Sequence, residues 1–204
     1  MNYRGRMAGR RQFDEQHTLG RILDVFWNQG YGATSMQDLA TASGVQRGSL
    51  YNAYRDKETL FLRVFRDYAD AFVAEAAATL DQPDVRQALE DFFDFTIASM
   101  TRGTPARGCL STKTATDTQA DAEPIRIAIR GMLDRLEGVM AERLSREDAA
   151  GLLTVPPTEA ARVLVTMTRG TVVIERVYQD ADRLRATARS LIAMVLGARR
   201  QATV

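Results

Sequence analysis

Gln46, Arg47, Ser49 and Asn52 fall within one short stretch and carry donors and acceptors that fit base edges and phosphate oxygens. Gly48 among them leaves the backbone bare enough to approach a large ligand closely. Tyr51 and Tyr54 add aromatic faces whose hydroxyls can reach phosphates. Lys57 brings a cation to the start of the next helix, where free backbone N–H groups already favour anions. Thr34 and Ser35 open an earlier helix in the same manner. The chemistry is recognition of a polyanion, not the making of bonds. No phosphate-binding glycine loop or metal-ligand cluster accompanies these residues, and the sole histidine, His17, reads as a solvated residue of a helix. The residues point away from an enzyme and call for no cofactor.

Those side chains need short, tightly joined elements to present them. Leu19, Ile22, Leu23, Phe26 and Trp27 recur at helical spacing and predict a helix over 14–29, closed by Gly30 and Gly32. Ser35 caps a second helix of barely two turns, with Asp38 in the position of a capping-box acid and Gly44 as its stop. A third helix over 46–53 turns Leu50 inward, and Asp56 caps a long helix to about residue 79. A short helix, a glycine turn and a second short helix form a helix-turn-helix, in which the second lies in the major groove of DNA. Asp84 opens a further helix, and others are expected over 106–117, 123–145, 157–179 and 182–199. With no period-2 run, the fold class is all-α, about nine helices, a three-helix unit followed by a larger bundle.

The run "ILDVFWNQGYGATSMQDLATASGVQRGSLYNAYRDKETLF" resembles the N-terminal domain of the TetR family of bacterial transcriptional regulators, with nearly all of residues 19–62 fitting the pattern. Asn52 and Ala53 depart from the aromatic or histidine-rich pair frequent there, and Tyr54 stands for the usual phenylalanine; these departures bear on operator choice. The resemblance implies a homodimer whose paired N-terminal domains read a palindrome in double-stranded DNA, and a C-terminal bundle that binds a small-molecule inducer. The domains would then be a flexible basic arm over 1–12, a DNA-binding unit over 13–58 and a ligand-binding and dimerisation unit over 59–204.

The bundle yields weaker signals. One stripe of the penultimate helix, Ala160, Leu164, Met167, Thr171 and Ile174, and one of the last, Leu184, Ala188, Leu191 and Val195, are expected to pair with their symmetry mates, with Gly170 allowing close approach. Phe65, Tyr68 and Phe72 on the long helix, with Phe92, Phe93, Thr96 and Met100 on the next, are expected to line a pocket for an apolar or aromatic inducer. Met132, Leu136 and Met140 would close it. Cys109, the only cysteine, opens "GCLST" after a broken loop; an exposed thiol of depressed pKa there could sense oxidants or electrophiles, with Arg107 and Lys113 as the helping cations. A thiol-based redox-sensing regulator, and a helical small-molecule carrier without DNA binding, are the alternatives to an inducer-controlled repressor.

Composition sets the bounds. The chain has 204 residues, 45% hydrophobic, and a formal net charge of +1, so DNA binding must rest on local clustering such as Arg4, Arg6, Arg10 and Arg11 in the arm. No apolar run reaches the roughly 20 residues of a membrane-spanning helix. A lone cysteine has no intramolecular disulfide partner, and a cytoplasmic protein is expected.

Overall fold

The computed structural model describes residues 14–197, so the expected basic arm at 1–12 lies outside the described residues. Nine α-helices and no strand occur among them: α1 (Glu15–Gln29), α2 (Met36–Ser43), α3 (Arg47–Tyr54), α4 (Lys57–Leu80), α5 (Val85–Thr101), α6 (Leu110–Ala115), α7 (Glu123–Leu144), α8 (Pro157–Tyr178) and α9 (Ala181–Leu196). None is long and apolar enough to cross a membrane.

Capping chemistry fixes the boundaries. The Asp14, Asp56, Asp84 and Asp180 carboxylates each accept from a backbone N–H three residues on, at the starts of α1, α4, α5 and α9. At α2 the capping box is complete: the Asp38 N–H donates to Ser35 Oγ at 3.2 Å, and the Ser35 N–H donates to Asp38 Oδ2 at 2.8 Å. Gly44 ends α2 with φ of 69°, a left-handed conformation that glycine adopts without steric cost.

At the other end of α3 the left-handed residue is Arg55, with φ 68° and ψ −56°. The Asp56 N–H donates to Tyr54 O at 2.8 Å across it, closing a three-residue turn of the strained type. The chain bends there from α3 into α4.

One correction concerns α6. A helix over 106–117 was expected, but Gly103 and Gly108 take positive φ, and Gly108 N–H donates back to Met100 O at 2.9 Å. The segment before Cys109 is therefore a closed loop. A single 3₁₀ turn over Thr118–Ala120 follows α6.

Helix α4, about 36 Å long at 1.5 Å per residue, touches α1, α3, α5 and α7 and so joins the small N-terminal unit to the bundle. Its buried aromatics form a continuous column. Phe61 meets Phe26 at 5.1 Å and Tyr31 at 5.2 Å between ring centroids; Phe65, Tyr68 and Phe72 follow at 5.5 to 5.8 Å steps. Trp27 packs edge-on to Tyr68 at 5.0 Å, and Phe72 reaches Phe95 of α5. Edge and tilted arrangements of this kind add stabilisation beyond burial.

The two units also meet through α6 and its following turn. Lys113 Nζ donates to Trp27 O and Asn28 O, at the carbonyl end of α1 where a cation suits the helix dipole. The Gly32 N–H donates to Asp117 Oδ2 at 2.7 Å. At the far end of the bundle the buried Arg143 holds Asp148 with two nitrogens and donates to Gln82 O.

Candidate nucleic-acid interface

Helix α3 turns Leu50 and Tyr54 into the core and leaves Gln46, Arg47, Gly48, Tyr51 and Asn52 exposed, with Ser49 half-buried beside them. Gln46 occupies the N-cap position without using its side chain as a cap, which leaves its amide free for an external partner. Arg47 and Tyr51, one turn apart, lie together: Arg47 Nη2 donates to Tyr51 Oη at 3.4 Å, and the guanidinium stands 5.4 Å from the ring centroid. This contact holds a cation and a phenol on one outward face. Nothing lies within 4 Å of a Cβ added at Gly48, so that surface is open. Ser35 is exposed at the start of α2.

Three other expected contacts are placed differently. The Thr34 side chain is 2% exposed and its hydroxyl donates to Gly30 O at 2.6 Å, so it shapes the turn before α2 and faces no solvent. Tyr54 is 5% exposed, and its hydroxyl donates to Glu15 Oε1 of α1 at 3.1 Å. Burial left each hydroxyl in need of a partner, and the fold supplies one. Lys57 is half-buried; its ammonium donates to Tyr31 O at 2.9 Å and sits 4.2 Å from the Tyr31 ring centroid. It ties α4 to the turn after α1. Arg55, passed over in the sequence, is exposed at the end of α3, its cation beside the Asp56 carboxylate.

The expected dimer stripes need a larger correction. Leu164, Thr171, Leu184, Ala188, Leu191 and Val195 are all buried within the chain, where they pack α8 and α9 against the rest of the bundle, and Met167 is half-buried against the same core. Only Ile174 of that set is exposed. The exposed stripe of α8 runs one register over, through Val163, Thr166, Gly170, Val173 and Val177, at 47%, 58% and 70% exposure for the three valines. Tyr178 and, on α9, Met194 are exposed as well. A signal was present: α8 carries apolar residues on two faces, and a helix with two apolar faces has two neighbours.

The expected inducer pocket is also filled. Phe65, Tyr68, Phe72, Phe92, Thr96, Met100, Met132 and Leu136 are buried core. Between Tyr68, Phe72, Thr96, Met100 and Cys109 only about 10 Å³ remains. That is about the room one water needs.

Cys109 is buried rather than exposed, and the cations expected to help it are engaged elsewhere: Lys113 on α1 carbonyls, Arg107 over Trp27 at 3.8 Å. The helper is Arg169 of α8, sixty residues away, whose Nη1 donates to Cys109 Sγ at 3.3 Å and to Ser111 Oγ at 2.8 Å. Ser111 Oγ and Cys109 Sγ lie 3.1 Å apart. Burial pushes the thiol pKa up, but the Arg169 charge, with hydrogen bonds from Ser111 and Thr112, outweighs it and holds the thiol below its ordinary value. Tyr68, 4.0 Å from the sulfur, is pushed well above the ordinary tyrosine value by burial first and by the cysteine second.

Comparison with known proteins agrees with this architecture. Residues 21–64 match the family described as bacterial regulatory proteins, tetR family, and residues 85–190 match the transcriptional regulator LmrA/YxaF-like C-terminal domain. The HTH-type transcriptional repressor ComR of Escherichia coli K12 is 32% identical over 148 residues, 71% of this chain and 69% of that protein. The uncharacterised HTH-type regulator YezE of Bacillus subtilis is 28% identical over 182 residues, covering 87% and 94%. Among solved structures, a cysteine mutant of the TetR family regulator CifR, complexed with 26-bp double-strand operator DNA, superposes with a TM-score of 0.81 at 27% identity over 92% of this chain and all of that one. The reduced form of E. coli NemR shares the fold at a TM-score of 0.81 and 16% identity, covering 91% and 97%.

Proposed function

Because the chain belongs to the TetR family of bacterial transcriptional regulators, DNA-binding proteins that are not enzymes, we propose that it acts as a homodimeric repressor that reads a palindromic operator and is released by a small molecule. The observation that carries this reading is the outward face of α3: Gln46, Arg47, Tyr51 and Asn52 exposed together around an open Gly48, on a helix braced by α2. Ser35 and Ser49 join them as contacts to phosphate or base edges. Lys57 acts through the turn it holds, and Thr34 and Tyr54 act through packing.

Two copies of α3 read adjacent half-sites when held about 34 Å apart or slightly more. The exposed α8 stripe centred on Gly170, with Met194 exposed on α9, supports a symmetric four-helix interface that sets this separation. A salt titration of binding to the duplex upstream of the protein's own gene tests the reading. If 6 to 10 phosphates are contacted, affinity drops by roughly 10³ to 10⁵ between about 50 and 200 mM salt. A flat salt response refutes it.

The Arg169 contact favours a second mode of release, through Cys109. The Arg169 guanidinium eases ionisation of the Cys109 thiol, and an electrophile that reached the sulfur would form a C–S bond where the Arg169 contact now stands, the thiol proton passing to the adduct. Treatment with N-ethylmaleimide, which adds across its double bond to one thiol, should weaken operator binding by the wild type and leave Cys109→Ser unaffected. Equal responses of the two proteins, or a modified wild type that binds as before, would exclude this mode.

A further inference from the structure

A groove of about 700 Å³ lies outside the bundle interior, between α1, α4 and the loop after α5. That volume is within the range of sites for small organic ligands. Its wall is apolar and aromatic, with Leu19, Leu23 and Trp27 from α1 facing Tyr68 and Phe72 from α4. Its charges are unequal in their engagement. Arg63 is paired with Asp67 of the same helix, and Glu15 accepts from the Tyr54 hydroxyl. Among the described residues, Arg102 and Arg107, on the loop side, have no carboxylate in hydrogen-bond contact: the Arg102 guanidinium makes no hydrogen bond or ion pair with them, and Arg107 reaches Ser99 O at 3.4 Å and the Trp27 face. Burial first and the nearby Arg102 charge second lower the Arg107 pKa against a smaller opposing pull from Asp24, while the carboxylates that line the groove, Glu15, Asp67 and Glu75, all come from α1 and α4.

We propose that this groove binds a small aromatic organic anion, its ring system laid against the wall that Leu19, Leu23, Trp27 and Phe72 form and its carboxylate or sulfonate on Arg102 and Arg107. A carboxylate or a sulfonate presents two oxygens to a guanidinium fork, and an aromatic ring suits the apolar wall. Tyr68, Phe72 and Ser99 line both this groove and the small space beside Cys109, so an occupant lies one layer of side chains from the thiol. It also touches α1 and α4 at once. A consequence for DNA binding follows only if the operator-reading function proposed above holds, and is measured separately.

Trp27 is the only tryptophan in the chain, so it reports on this groove directly. The probe is 8-anilinonaphthalene-1-sulfonate, titrated into the full-length protein with Trp27 quenching and energy transfer to the dye as readouts. Its uncharged relative N-phenyl-1-naphthylamine serves as the comparison. The sulfonate dye should quench Trp27 saturably. Arg102→Gln, which breaks no contact within the protein, should weaken it about tenfold, and Arg102→Gln with Arg107→Gln should weaken it further. The uncharged dye should bind all three proteins alike. Dye binding without Trp27 quenching, or sulfonate affinity unchanged in Arg102→Gln, overturns the site. Operator affinity with and without saturating dye then decides the coupling: weakening of operator binding supports it, and no change removes the coupling while leaving the groove as a ligand site.

Discussion

Gly32→Ala tests how firmly the DNA-reading unit is latched to the bundle. The Gly32 N–H donates to Asp117 Oδ2 at 2.7 Å, and a Cβ at this position would lie 2.8 Å from Asp117 Oδ1 and 2.8 Å from Gln119 Cβ. Asp117 has little freedom to retreat, because Oδ1 accepts from the Gln119 N–H at 3.0 Å and caps the 3₁₀ turn. The methyl group therefore forces the two segments apart and forfeits a hydrogen bond to a carboxylate, worth about 1.5–3 kcal/mol. At about 2–4 °C per kcal/mol for a chain of this size, the melting temperature should fall by about 3–12 °C, followed by circular dichroism or calorimetry. Asp117→Ala loses the bond without the overlap. The double variant, with one of the two clashing groups gone, should cost less than the sum of the single changes by about 0.5–3 kcal/mol. A Gly32→Ala protein that melts with the wild type, or additive single effects, would refute the latch.

Other expectations concern separate parts of the molecule. Val173→Glu, on the exposed α8 stripe, should yield monomers by sedimentation with unchanged far-ultraviolet circular dichroism, whereas Leu191→Ala should destabilise the fold itself by about 2–5 kcal/mol. Arg55→Gly should raise the melting temperature of the free protein by relieving a left-handed residue that carries a side chain, a gain of about 1 kcal/mol. The Asp38 carboxyl is held below its ordinary value by its hydrogen bonds with Ser35, and Asp56 by the Thr59 N–H. Both contributions are complete above the ordinary carboxylate value of 3.8 and are lost as pH falls through the depressed values, so urea melts should lose stability below about pH 4. Ser35→Ala should make that acid loss shallower.

Local chemistry made the element boundaries legible. Ser35 with Asp38, Asp56, Asp84 and Gly44 announce helix ends through hydrogen bonds spanning three residues or through a single backbone dihedral, so no tertiary information is required. The α6 boundary failed where it depends on Gly108 bonding back to Met100, a loop closure that periodicity does not register. Side-chain roles depended on what folds over them. Thr34, Tyr54 and Lys57 are polar residues in a polar motif, yet their partners Gly30 O, Glu15 and Tyr31 O turn them inward. On α8 the stripes through Leu164 and through Val163 are both apolar, and spacing alone cannot say which one the chain's own bundle covers. Arg169 was invisible as the partner of Cys109 because sixty residues separate them.

The central claim is that two copies of α3, held by the α8 and α9 surfaces, read one stretch of duplex. Selection of bound sequences from a random duplex library tests it most directly. The account predicts enrichment of an inverted repeat whose half-site centres lie about one helical turn apart or slightly more, recovered by the wild type and lost with Arg47→Ala and Tyr51→Ala. Recovery of a single unrepeated motif, or of no motif while the protein remains folded, would contradict it.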